Sequence, residues 1–215
     1  MDDGKKTLQQ RAYEDIKERI ITCAYPPGML LNTVDLQEKS GISRTPIREA
    51  LGRLEQEHLV RVVPKKGFMV CAFSLNTIKT LFETRLLIEP YIVSEYGQSI
   101  DRTALERFRR VFLEDLQWNK ERFFQQDIAL HTLIGESCPN IYLRQALACI
   151  ADQTRRLRIV SEHQHDRIPA SCEEHVELID AVLAGDGVGA ARVMRQHLTA
   201  SMHVAFAMPE ALSTP

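Results

Sequence analysis

Residues 40–51 read SGISRTPIREAL, and Pro46 constrains this stretch more than any other residue does. Inside a helix, proline removes an amide donor and clashes with the preceding turn. Only the first turn tolerates it, because the amides there have no intrahelical acceptor. Pro46 therefore fixes the start of a helix over 44–58, with Ser43 as its N-cap and Gly41 ending the short helix before it. The Ser43 hydroxyl is expected to bond the amide of Thr45, since Pro46 offers none. At about 100° per residue, Ile47, Ala50, Leu51, Leu54 and His58 share one face. Arg48, Thr45 and Gly52 lie opposite, with Arg44 at the border.

The flanking sequence gives this helix a setting. A stripe of Leu8, Ala12, Ile16 and Ile20 predicts a helix over 7–23, and AYPPG ends it. A short helix follows near 34–40. After the Pro46 helix, VRVVPKKGFMV alternates apolar and polar residues around PKKG, which predicts a two-stranded hairpin tipped by Lys65, Lys66 and Gly67. Ser74-Leu75-Asn76 is a polar break. Helical patterning then runs over 75–97, 101–115, 118–137, 140–161, 171–185 and 187–206. The chain is thus expected to be mainly α. Residues 1–73 should form a winged helix-turn-helix domain, and residues 74–215 an all-α antiparallel helical bundle.

A helix-turn-helix enters the major groove with the N-terminus of its second helix. Arginine can grip guanine O6 and N7 with two bonds, and exposed first-turn amides favour a phosphate. Arg44, Thr45, Pro46 and Arg48 are the expected DNA-facing residues, with Lys65, Lys66 and Gly67 as a wing on the duplex backbone. A net charge of −2 alone speaks against a nucleic-acid partner. Residues 1–75 hold 12 Lys/Arg against 10 Asp/Glu, however, and residues 76–215 hold 15 against 19. The case rests on local placement. Five cysteines without CxxC pairing, no apolar run of about 18 residues and a polar N-terminus lead to the expectation of a reduced, cytoplasmic protein away from membranes.

Histidines mark the second domain. Asp127 and His131 are spaced i, i+4 and share a helix face. His175 aligns with Leu178 and Val182, and His197 with Met194 and Ser201, so both face inward. Three imidazoles and a carboxylate suit Zn, Ni, Mn or Fe. Spacing alone does not bring the three helices together. Arg85 lies on the stripe Leu81, Arg85, Ile88, Ile92 and needs a partner, either a bound carboxylate or Glu83 or Glu89. Thr154 and Ser161 fall on the inward stripe of their helix. His163 and His165 read as a solvated loop, and Arg155, Arg156 and Arg158 as a solvated or dimer-facing edge.

GISRTPIREALGRLEQEHLVRVVPKKGFMV resembles the winged helix-turn-helix of GntR-family bacterial transcription regulators, over about residues 7–72. TRLLIEP, DIALHTLI, EEHVELIDAVLAGD and RVMRQHL resemble the FCD ligand-binding domain of the FadR-type branch. The resemblance implies one divalent metal ion per subunit held by Asp127, His131, His175 and His197, and a small carboxylate effector. Arg85, Thr154 and Ser161 are candidate effector contacts. One departure is Val34, which stands where some members place an operator-touching arginine just before the second helix.

The expected protein is a homodimeric repressor that binds a palindromic DNA operator and responds to the metabolite. The alternative is a metal-dependent hydrolase or lyase using the same Asp/His cluster with Glu174 as base. HExxH, a nucleophile elbow and a phosphate loop are all absent from the sequence.

Overall fold

A computed structural model describes residues 6–114, 120–160 and 167–207. The chain divides into two compact units at Ser74/Leu75.

The first unit contains α1 (Leu8–Ile21), β1 (Leu30–Leu31), α2 (Thr33–Ser40), α3 (Arg44–Gln56), β2 (Val60–Val63) and β3 (Gly67–Val70). Ile16 and Ile20 of α1 and Ile47, Leu51 and Leu54 of α3 meet in one core, joined by Leu31, Leu36 and Val70. Full burial of each such side chain stabilises the fold by about 1.5–3 kcal/mol. Gly41 ends α2 at φ 69, a left-handed position glycine adopts freely, and the chain turns there into α3.

Several local expectations need correction. Ser43 is extended and precedes α3, but its side chain makes no capping hydrogen bond. A serine cap best reaches the third helical amide, and Pro46 occupies that position without one. The wing is three-stranded, in the order β1-β3-β2. Leu30 and Leu31 pair with Met69 and Phe68 on the outer edge of β3, and two residues are too short to show an alternating pattern. Val34 lies inside the first turn of α2, which begins one residue earlier and is capped by the Asn32 side chain on the Val34 amide. His58 lies beyond the end of α3, exposed and at φ 57, and takes no part in the inner face.

The second unit is an all-α antiparallel bundle. Its elements are α4 (Leu75–Tyr96), a 3-10 turn (Gly97–Ser99), α5 (Arg102–Glu114), α6 (Lys120–Glu136), α7 (Ile141–Val160), α8 (Ile168–Leu183) and α9 (Gly187–Phe206). The core joins Ile92 and Val93 of α4, Phe108 and Phe112 of α5, Leu130 and Ile134 of α6, Leu178 and Ile179 of α8 and Met194 and Leu198 of α9. Helix α8 starts three residues earlier than its apolar pattern indicates, because Pro169 is accommodated in its first turn. The first residue of α9 presses on α4: a Cβ at Gly187 would lie 2.6 Å from the Ser94 carbonyl oxygen. That contact helps fix how far His197, three turns further along α9, stands from α4.

Candidate functional site

In the first unit, α3 presents Arg44, Thr45 and Arg48 to solvent, with Pro46 half-buried beside them. Arg44 Nε donates to Gln37 Oε1 at 3.0 Å, which ties the start of α3 to α2. Lys65 and Lys66 are exposed between β2 and β3, and Lys65 takes φ 64. Gly67 takes φ 108, and a Cβ there would approach the Leu31 carbonyl oxygen to 3.0 Å. Glycine therefore lets the wing close on β1 without strain at this position.

In the second unit, α6, α8 and α9 bring four side chains together. One ligand atom each of Asp127, His131, His175 and His197 lies within 4.8 Å of the others. His175 Nε2 is 3.2 Å from Asp127 Oδ1, His131 Nε2 3.7 Å and His197 Nε2 3.9 Å. His131 Nε2 and His197 Nε2 are 3.3 Å apart. Three neutral imidazoles and a carboxylate on bonds of about 2.0–2.2 Å need separations of about 3–4 Å, so the donor set fits a divalent ion.

The surroundings orient these donors. His131 Nδ1 lies 2.6 Å from Glu89 Oε2, and His197 Nδ1 lies 2.8 Å from Glu174 Oε2. A proton on each Nδ1 leaves the Nε2 lone pairs aimed at the common centre. Arg85 Nε donates to Glu89 Oε1 at 2.5 Å, and Arg85 and Glu89 are each 3% exposed. Arg167 holds both oxygens of Glu174 at 3.0 and 2.8 Å. His175 differs: fully buried and stacked near Phe112 and Phe123, it has no well-aligned hydrogen bond at either ring nitrogen. An unsatisfied buried imidazole costs about 1–3 kcal/mol, a cost that an ion at Nε2 would offset.

Charge and burial shape the protonation states. Burial would raise the Asp127 carboxyl, but the Arg158 guanidinium and the neighbouring imidazoles hold it well below the carboxylate range. Burial is also the first cause that pushes the His131 and His197 imidazoles down, so both favour the neutral form that binds metal.

Two cavities flank the cluster. The smaller, about 30 Å³, is lined by Asp127, Ser171 and Ser201. The larger, about 260 Å³, runs between α6 and α7 past His131, Gly135, Arg144 and Arg155. Arg85, Thr154 and Arg158 line both. Thr154 is half-buried and donates its hydroxyl to the Ile150 carbonyl at 3.0 Å. Ser161, His163 and His165 lie outside the described residues.

Two of the three arginines expected on a solvated or dimer-facing edge, Arg156 and Arg158, turn inward, while Arg155 is half-buried. Arg156 is 1% exposed, and Arg158 reaches the second oxygen of Asp127. Spacing carries the signal for Arg158, which lies one turn beyond Thr154 on the inward stripe of α7. Arg85 takes Glu89 rather than the exposed Glu83. Glu174 accepts from Arg167 and lies 2.8 Å from His197 Nδ1, so in this structure it serves to orient that imidazole.

Comparison with known proteins bears on what this arrangement belongs to. Residues 8–70 match the family model of bacterial regulatory proteins, gntR family, and residues 80–200 match the FCD domain. The HTH-type transcriptional repressor GlaR of Escherichia coli (strain K12) is 29% identical over 205 residues, spanning 86% of this chain and 90% of that protein. A regulator from Agrobacterium vitis is 38% identical over 78 residues, which is 36% of this chain and 46% of that protein. A GntR-type regulator from Rhodococcus sp. RHA1 superposes with a TM-score of 0.80 at 19% identity, covering 93% of this chain and 98% of that one. The metal-free FCD domain of TM0439 superposes with a TM-score of 0.54 at 25% identity, covering 62% of this chain and 94% of that one. The chain belongs to the GntR family of bacterial transcription regulators and carries an FCD domain.

Proposed function

We propose that this regulator reads a palindromic operator as a homodimer and responds to a small carboxylate held beside a divalent metal ion. The observation that carries this reading is the convergence of Asp127 with three imidazole Nε2 atoms in the bundle of a chain whose other unit exposes Arg44 and Arg48. Arg48, Thr45 and Arg44 would meet the major groove, with the first-turn amides of α3 at a phosphate. Lys65 and Lys66 would follow the duplex backbone, with Gly67 shaping the wing. Asp127, His131, His175 and His197 would hold the ion, and Zn, Ni, Mn and Fe all suit that donor set. The ion would supply a charged anchor for a carboxylate.

Arg85 and Arg158 stand where they could receive that carboxylate, with Thr154 beside them. Ser161 is retained as a further candidate contact. Helix α4 carries Arg85 and begins at the junction of the two units, so effector binding has a covalent route to the DNA-binding unit. A coupling of about 1–3 kcal/mol would change operator affinity roughly 5–150-fold. The relative named a repressor supports release of DNA on effector binding as the sign of the response.

The test combines elemental analysis of the purified protein with operator selection from random duplexes. Stoichiometric metal and an inverted-repeat consensus are expected. Metal-free protein with an unchanged response to carboxylates, or a consensus without two-fold symmetry, would sink the reading.

A further inference from the structure

Gln37 sits on α2, outside the helix that carries Arg44 and Arg48, yet the turn between α2 and α3 fixes where it stands. Its own carbonyl accepts the Gly41 amide at 2.9 Å. Ser40 Oγ donates to the Leu36 carbonyl at 2.6 Å and accepts from the Ile42 amide at 3.2 Å. These bonds tie down the chain between Gln37 and Arg44. Gln37 is half-buried and Arg44 exposed, and the bond from Arg44 Nε to Gln37 Oε1 joins them at 3.0 Å. Ser43 makes no capping bond, so nothing else engages the side chains at the start of α3 among the described residues.

The chemistry of this bond decides which face of the arginine remains. Arg44 Nε can only donate, so the Gln37 atom facing it has to be the amide oxygen. The side edge of the guanidinium is thereby occupied. Nη1 and Nη2 stay open, the pair that can reach guanine O6 and N7 end-on. An arginine loses side-chain freedom when it docks, and one already held in the unbound protein loses less. In water an exposed hydrogen bond of this kind holds weakly. Pressed into a groove, with water expelled, it strengthens. Arg48 is exposed one turn further along α3 and has no side-chain partner among the described residues. Only the first of the two arginines is held.

We propose that Gln37 is a specificity-determining positioning residue: it holds Arg44 by Nε so that Nη1 and Nη2 together read one guanine in the major groove. Gln37 acts on that base only through Arg44. This rests on the reading that Arg44 and Arg48 meet the major groove.

The experiment is fluorescence anisotropy of the full-length protein, at fixed salt, on the selected operator and on duplexes carrying single guanine-to-adenine changes. Arg44→Ala and Arg48→Ala first identify the base that each arginine reads. Gln37→Met keeps the side-chain length and removes the acceptor, Gln37→Ala is a second acceptor-free variant, and Gln37→Glu keeps an acceptor. The acceptor-free variants should reduce the guanine preference at the Arg44 base by about five-fold or more, and leave the preference at the Arg48 base as in the parent. Gln37→Glu should retain the preference at the Arg44 base, although its added negative charge lowers affinity for every duplex alike. On an Arg44→Ala background, Gln37→Met should change no preference further. Loss at both bases would make Gln37 a support for the whole of α3, and loss in Gln37→Glu as deep as in Gln37→Met would deny the role of the acceptor. An unchanged preference at the Arg44 base would mean that something else orients this arginine. Each of these results overturns the inference and leaves the DNA-facing reading standing. An Arg44→Ala protein with the parent's preference at every position removes Arg44 from base readout and overturns both.

Discussion

Glu89 accepts from Arg85 on one oxygen at 2.5 Å and faces His131 Nδ1 on the other at 2.6 Å. A single carboxylate on α4 thereby fixes the tautomer of an imidazole on α6. The helix that leaves the DNA-binding unit is thus built into the candidate metal centre through one side chain.

Removing that link should weaken the ion without removing a ligand. Glu89→Gln keeps the shape but cannot hold the His131 proton with the same charge. Metal affinity is expected to fall about 10–100-fold. Competition titration against a fluorescent chelator checks this, and unchanged affinity would mean that His131 is oriented by something else.

The same pairing predicts acid lability in the metal-free protein. Burial would raise Glu89, but Arg85 and His131 outweigh it and hold the carboxyl at about 2, against an ordinary value of 4.5. A depressed carboxyl contributes stability that is complete above the unfolded value and lost as pH falls from about 4.5 toward 2. His131 and His197 act earlier in the same direction. Burial pushes both down, against the opposing pull of Glu89 on His131 and with the help of the neighbouring imidazoles on His197, while in the unfolded chain they take up protons as pH falls below about 6.5. Thermal melts of chelator-treated protein should therefore drop progressively from pH 7 to pH 4. A flat profile over that range would contradict the buried, neutral assignment of both imidazoles.

At the other unit, Arg48 is exposed on the α3 face opposite Ile47 and Leu51. Arg48→Ala should cost about 1–3 kcal/mol of specific operator binding, with discrimination relaxed at one base position. Circular dichroism and metal content should stay as in the parent. Equal affinity for the selected operator, measured by anisotropy at fixed salt, would remove Arg48 from base readout.

How much of this could be read without coordinates depended on whether the signal lay within one element or between several. Pro46 and Gly41 announced α3 and its approach, because each restricts its own backbone. The inward aim of His175 and His197 followed from their neighbours on the same helix, and that of His131 from its i, i+4 pairing with Asp127. The convergence of their three helices did not, and it came from family resemblance. Glu89 stood among the partners expected of Arg85, but its contact with His131, the pairing of Arg158 with Asp127 and that of Arg167 and His197 with Glu174 stayed hidden, because each depends on a burial or a neighbour that the sequence does not state. Strand β1 escaped because two leucines have no period.

Gly67 offers a prediction on the wing. Its φ of 108 is strained for any residue with a side chain, and a Cβ there would press on the Leu31 carbonyl oxygen at 3.0 Å. Gly67→Ala should lower the stability of the first unit by about 1–3 kcal/mol through strain and displacement of β1 from β3. Hydrogen exchange should report faster exchange at the Leu31 and Phe68 amides, which pair across that edge. Exchange that matches the parent would mean the backbone relaxes without cost.

His175 gives the sharpest separation between a structural and a metal-binding role. In the metal-free protein neither His175 ring nitrogen has a well-aligned bond, though Nε2 lies 3.2 Å from Asp127 Oδ1, so an apolar residue of similar size removes both the cost of a buried polar ring and a contact to that carboxylate. The two effects oppose each other, so His175→Leu should melt close to the parent when both are stripped of metal. Adding zinc at about 100 times its dissociation constant should stabilise the parent by about 2.7 kcal/mol, or roughly 5–11 °C for a chain of this size. The variant, lacking a ligand, should gain little. If the imidazole were only a core packing residue, its replacement would change the zinc-dependent shift no more than it changed the metal-free melt, and the metal centre would have to be drawn without it.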